Sequence, residues 1–256
     1  MCIRDSLRTD KTFFGEAFIH KILGIIILYI VAKSMSFNCE NIGFTRKKAI
    51  FYLGQGLLFG IFIYLISYGI EILINISHGQ FKSLEFYVST YSVEGNIGKQ
   101  TAIIFFVICI LGNIINVIME EGIFRGLFQK LFEQKYNFLL SAILSSLLFG
   151  FWHVVAPLRS YYDGTISFEE MFINIIILVV TSTLVGFKFS MMTKLTGSLY
   201  MSMGDHFVNN TIINVLHIVS KDGSIDKLLV MRISIAQTLS FLIILIYFKL
   251  SRNECS

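Results

Sequence analysis

The sequence predicts an all-α, polytopic bundle of transmembrane helices, and three observations predict it. The 256 residues are 55% hydrophobic and only 15% charged, with a mean hydropathy of +0.71, far too apolar for an ordinary soluble domain. The apolar residues gather in seven runs, near 22–35, 49–70, 101–119, 137–155, 171–192, 197–219 and 228–248, of the order of the ~20 residues a helix needs to cross hydrocarbon. The whole chain holds one Pro. Backbone polar groups find no water partner in lipid, so a spanning segment is a helix or a barrel strand, and runs this long without alternation are helices.

Taken in order, the first run is followed by "ENIGFTRKKAI", a polar joint that opens the second helix. The longest connection, "ISHGQFKSLEFYVSTYSVEGNIGKQ", mixes aromatics with charges and is expected to lie along the outer interface. The third run ends in "NVIMEEGIFRGLF", the fourth carries "FGFWH", and the sixth carries "DHFVNN". No Pro-, Gly- or Ser-rich stretch divides the chain and no inverted repeat is visible, so one integral-membrane domain over 1–256 is the simplest organisation.

Basic residues alternate between connections. Lys33, Arg46, Lys47 and Lys48 follow the first helix, Lys130 and Lys135 the third, Lys188 and Lys194 the fifth, and Lys249 and Arg252 the last. The opposite connections, 77–100, 156–170 and 220–227, hold fewer bases and most of the acids. The positive-inside rule therefore puts the first set and the C-terminus in the cytoplasm. Seven helices then place the N-terminus outside, against the bases Arg4, Arg8 and Lys11. The net charge of +4 is spread along the chain and gives no nucleic-acid footprint. Cys2, Cys39, Cys109 and Cys255 have no metal or disulfide spacing and read as free thiols. No removable signal peptide is expected.

An ionisable side chain inside a membrane helix costs about 2.5–3.5 kcal/mol on insertion scales and by default faces a functional interior. Glu120, Glu121 and Arg125 lie on the third helix, His153 on the fourth, and Asp205, His206, Asn209 and Asn210 on the sixth. Glu121 and Arg125 are one turn apart on one face and can pair, whereas Glu120 is rotated by about 100° and is expected to point elsewhere. His206 and Asn210, and likewise Phe149 and His153, share that one-turn spacing. Counted from the turn near 134–137, Glu120 and His153 sit at similar depths on antiparallel helices, roughly 21–24 Å at about 1.5 Å per residue. His206 matches that depth only if the joint near 194–197 dips into the membrane. A glutamate, two imidazoles and a carboxamide in a partly wet cavity suit peptide-bond hydrolysis. A base deprotonates water and donors hold the oxyanion, with or without a metal to organise them.

These residues resemble a known family. "EEGIFRG" fits EExxxR, "FGFWH" fits FxxxH and "HFVNN" fits HxxxN, in the order and helical placement of the CPBP intramembrane proteases, which include CAAX prenyl endopeptidases and bacteriocin-processing or immunity proteins. "KLTGSLYMSMGDH" resembles the family's approach to the third motif, and the resemblance covers about 101–214. It implies a membrane endopeptidase acting on a peptide or protein substrate among lipids, in a bacterial plasma membrane. Glu120 would activate water with His153, while His206 and Asn210 would bind the oxyanion. Glu121, Arg125 and Phe149 would be structural or supporting. The family is also described as metal-dependent, which makes Glu120, His153 and His206 candidate ligands of a divalent metal such as zinc, with a metal-free glutamate mechanism as the other version. The family fold has eight helices and a cytoplasmic N-terminus. One missing first helix reconciles that with seven, and the opening "MCIRDS" resembles translated sequencing-adapter read-through, so a longer native N-terminus is expected.

Two other functions compete with the enzyme: a non-catalytic scaffold or bacteriocin self-immunity factor of the same fold, and an ion-coupled transporter using the acids and histidines as a proton relay. Structural readings also compete at single residues. Glu121 with Arg125 can be an ion pair that fixes helices. His20, His78 and His217 read as interfacial, Trp152, Tyr161 and Tyr162 as an aromatic belt, Phe149 as packing, and Gly122 with Gly126 as a close helix contact. Asp205 lies outside the motif.

Overall fold

In the long runs apolar side chains cover most faces, so the backbone's only partners are its own groups and each run coils into a helix. The computed structural model describes residues 18–89 and 99–253. The opening "MCIRDS", the bases Arg4, Arg8 and Lys11, part of the long connection, and Cys2 and Cys255 lie outside the described residues. The helices are α1 (Phe18–Ser34), α2 (Ala49–Ser77), α3 (Ile103–Glu133), α4 (Phe138–Trp152), α5 (Val155–Tyr162), α6 (Phe168–Thr196), α7 (Tyr200–Val215) and α8 (Leu229–Asn253). Two short strands, β1 (Phe81–Phe86) and β2 (Leu216–Ser220), pair antiparallel. Among the described residues five helices are long and apolar enough to cross a membrane: α2, α3, α4 continued by α5, α6 and α8. The chain is an integral membrane protein with an all-α polytopic fold.

Local chemistry sets the ends. Asn137 caps α4 by accepting from the Leu140 amide at 3.0 Å. Ser167 and Glu170 form a reciprocal capping box at the start of α6. Gly197, at φ +66°, ends α6 in the left-handed conformation that glycine adopts without strain.

Close approach of backbones then positions the site. A Cβ at Gly56 would fall 2.1 Å from the Met201 carbonyl oxygen, and one at Gly204 would fall 2.5 Å from that of Leu53. Two glycines thus let α2 and α7 cross with their backbones in contact, as small residues do where lipid supplies no hydrophobic drive between helices. Gly122 meets Leu28 of α1 and Gly126 meets the Ile42 carbonyl, the close contact expected of that pair.

Three expectations need correction. The sixth run does not continue as helix through 219: α7 ends at Val215 and β2 follows. Part of the long connection is β1, paired with β2 from Phe81↔Ser220 to Phe86↔Leu216. His217 is accordingly not interfacial but 1% exposed. Its Nδ1 lies 2.6 Å from Asp226 Oδ2 and its Nε2 lies 3.1 Å from the Tyr87 carbonyl oxygen. Arg232 joins Asp226 at 2.9 Å to Glu71 at 3.0 Å, so an ionic chain bolts the two-stranded ribbon to α2 and α8. Hydropathy alone cannot see this end of α7, because "LHIVS" is as apolar as the helix before it.

Candidate active site

The third helix brings its charges into the interior through an irregular turn. Gly122–Phe128 is π-helical, so the Gln129 amide reaches back five residues to the Phe124 carbonyl. Such turns in a helix are often found at functional sites. Ser145 of α4 donates to that same carbonyl at 2.5 Å, supplying a side-chain partner where the regular ladder is disturbed. Glu120 is 5% exposed, and Glu121 and Arg125 are fully buried.

The seventh helix answers them. His206, 4% exposed, places Nδ1 2.9 Å from Glu121 Oε1 and Nε2 3.4 Å from Glu120 Oε2. Glu120 was expected to point away from Glu121, yet both carboxylates address one imidazole, one at each ring nitrogen. The physical reason is reach: a ring held between neighbouring turns offers its two nitrogens in different directions, and flexible Glu side chains close the remaining angle. The expected pair is also present, Arg125 donating to Glu121 Oε1 at 3.2 Å. The Arg125 guanidinium lies 4.1 Å from the Phe149 ring centroid and 5.3 Å from that of Phe189, within range of cation–π attraction. Phe189 stacks on His206 at 4.9 Å.

The approach to His206 is itself buried. Ser198 and Leu199, between α6 and α7, are fully buried, and the Leu199 amide donates to the Gly43 carbonyl at 3.0 Å. The joint is thus packed inside the protein, between α6 and α7.

The fourth helix contributes differently from expectation. Trp152, read as an interfacial aromatic, donates its indole N–H to Glu120 Oε1 at 3.1 Å. Next to it, half-buried His153 places Nδ1 2.8 Å from the Phe149 carbonyl oxygen. A carbonyl can only accept, so Nδ1 carries a proton and Nε2 of the neutral ring is left with the lone pair. The direct partner of Glu120 on α4 is therefore Trp152, with His153 one residue on. Phe149 is buried core, edge-on to His153 at 4.7 Å and to His206 at 6.1 Å.

Asn210 lies one turn beyond His206 and accepts from Asn209 Nδ2 through Oδ1 at 3.1 Å. Sequence reasoning misplaced one further group. Lys188 was counted among the bases of a connection, but it is 1% exposed and its Nζ lies 2.6 Å from Asp205 Oδ2. A lysine inside a long apolar run is the signal that could have found it. Of the candidate metal ligands, Glu120 and His206 are together. Among the described residues no three His, Cys, Asp or Glu side chains converge as a ligand set, so the side chains as arranged do not fit a three-ligand metal centre.

An apolar groove of about 340 Å³ opens between α2, α3 and α7, lined by Leu53, Leu57, Val117, Tyr200, Met203 and Phe207. Val117 is one turn before Glu121, Met203 nearly one turn before His206, and Phe207 next to it. Residues 102–212 match the family model described as Type II CAAX prenyl endopeptidase Rce1-like. No curated protein sequence matches the chain.

Proposed function

We propose that this chain, which carries a CAAX-type intramembrane protease domain over residues 102–212, hydrolyses a peptide bond of a membrane-associated peptide or protein with Glu120 as the general base. The observation that carries the reading is the convergence of Glu120 and Glu121 on the two nitrogens of buried His206. Glu120 takes a proton from water as the hydroxide attacks the scissile carbonyl, and returns it to the departing amine when the tetrahedral intermediate collapses. His153, with its Nε2 lone pair, orients that water. His206, held through its Nδ1–H by Glu121, donates from Nε2 to the oxyanion in its doubly protonated imidazolium form, in which both ring nitrogens carry a proton, and the Asn210 amide donates beside it. Glu121 and Arg125 support the imidazole. The apolar groove beside Val117 and Met203 suits a substrate that approaches through lipid. The C-terminus and the connections rich in Lys and Arg lie in the cytoplasm.

The test uses protein in lipid nanodiscs with internally quenched peptides, including a prenylated CAAX peptide and an unprenylated transmembrane peptide. Cleavage by the wild type, abolished in Glu120→Ala and His206→Ala at equal membrane abundance, is the expected result. Equal cleavage by all three proteins contradicts the reading. An immunity phenotype that survives Glu120→Ala would favour the scaffold.

A further inference from the structure

The polar groups beyond His206, buried at Lys188 and half-buried at Gln237, Asn209 and Asn210, form a chain with a direction. Lys188 Nζ has only protons to give. It lies 3.2 Å from Gln237 Oε1 and 3.1 Å from Ser240 Oγ, so the Gln237 carboxamide must turn its oxygen to the lysine. Its Nε2 is then aimed the other way and donates to Asn209 Oδ1 at 2.6 Å. Tyr64 donates to the same Asn209 oxygen at 2.5 Å. With two donors on its oxygen, Asn209 turns its amide to Asn210 and donates to Oδ1 at 3.1 Å. The Asn210 oxygen is thereby engaged away from the reaction, and the Nδ2 amide is the group left to present.

We propose that Lys188, Gln237 and Asn209 are positioning residues, a one-way hydrogen-bond relay that fixes the Asn210 carboxamide with its amide rather than its oxygen toward the reacting carbonyl. The inference rests on the reading of Asn210 as an oxyanion donor. A carboxamide is nearly symmetric in shape, and flipped over it would offer the oxyanion a lone pair instead of a proton. Only a fixed reference can choose between the two orientations, and an ammonium group, which cannot accept, is such a reference. Asp205 keeps that reference in place: at 2.6 Å from Lys188 it neutralises a charge that would otherwise be costly at this depth. Asp205 neighbours His206 in sequence, so one helix carries both the counter-ion of the relay and an oxyanion donor.

Asn209→Asp keeps the shape and both incoming donors but replaces the outgoing amide by an acceptor, which invites Asn210 to flip. On the prenylated CAAX peptide in nanodiscs, kcat is expected to fall about 10²–10³-fold, the scale of losing one oxyanion donor, with KM changed less than about twofold. Asn210→Ala is expected to lose as much, and the double variant no more than either. That non-additivity separates a relay from general damage, which would multiply the losses. If Asn209→Asp fails to accumulate in membranes, the Tyr64→Phe, Gln237→Leu pair carries the test. It buries no new charge and frees Asn209, and kcat should again fall at unchanged KM. Wild-type kcat in Asn209→Asp beside an inactive Asn210→Ala overturns the relay alone. Full activity in Asn210→Ala overturns the oxyanion reading beneath it.

Discussion

His206 Nδ1 and the Arg125 guanidinium meet at one atom, Glu121 Oε1, at 2.9 and 3.2 Å. That oxygen ties α7 to α3 in the interior and gives the imidazole a fixed orientation. Arg125 also spans two aromatic rings from α4 and α6, so four helices meet around it.

Removing the guanidinium should therefore cost more than a surface pair. Arg125→Met leaves Glu121 buried without its cation, a change typically worth about 3–5 kcal/mol. Thermal unfolding in detergent is expected to shift strongly downward. An unchanged midpoint would mean that the pair does not hold the helices.

The crossing of α2 and α7 gives a steric prediction with an internal control. Gly56→Ala puts a methyl group against the Met201 carbonyl, whereas a Cβ at Gly54 meets nothing within 4 Å. Overpacking of this kind costs about 1–3 kcal/mol. Gly56→Ala should lower both the melting temperature and kcat by displacing His206, while Gly54→Ala leaves both unchanged. Equal behaviour of the two variants would contradict the packing.

The two-stranded ribbon predicts a pH dependence. Burial pushes the Asp226 carboxyl up, but the His217 imidazole, the Ile218 amide and Arg232 together hold it below the ordinary range. A carboxylate lowered in the folded state stabilises the fold above its unfolded value, near 3.9, and loses that contribution as pH falls through the folded value. Amide exchange of β2, corrected for intrinsic rates, should stay slow down to about pH 4 and quicken below it. In Asp226→Asn the same amides should exchange faster already at neutral pH. Protection in that variant equal to wild type would show that the ionic chain does not hold the ribbon.

Metal removal is informative because the ligand set is incomplete. Among the described residues no three candidate ligands converge, so cleavage is expected to survive exhaustive chelation. Loss of cleavage, restored by zinc, would require the site to rearrange around a metal held by Glu120, His153 and His206.

Much of this was legible in the sequence. Glu121 and Arg125 at one-turn spacing announced their pair, and ionisable residues in the third and sixth apolar runs announced the meeting of Glu120 and Glu121 with His206. What was hidden depended on contacts that spacing does not encode. The carboxylates of Glu120 and Glu121 leave α3 in different directions, and only the position of α7 brings one ring between them. Trp152 looked interfacial because indoles are common at membrane boundaries, but its N–H finds a carboxylate when α4 packs on α3. Lys188 looked like a connection base because hydropathy averages over a run, and its buried partner, Asp205, is 17 residues away in sequence.

The most direct test of the account replaces one oxygen of Glu120. Glu120→Gln keeps the size of the side chain and can still accept from Trp152, but it cannot take a proton from water. On the quenched peptide in nanodiscs, kcat/KM should fall about 10²–10⁴-fold, the range ascribed to a general base, with membrane abundance and unfolding midpoint at wild-type values. A rate within about threefold of wild type would contradict the assignment of Glu120 as the base.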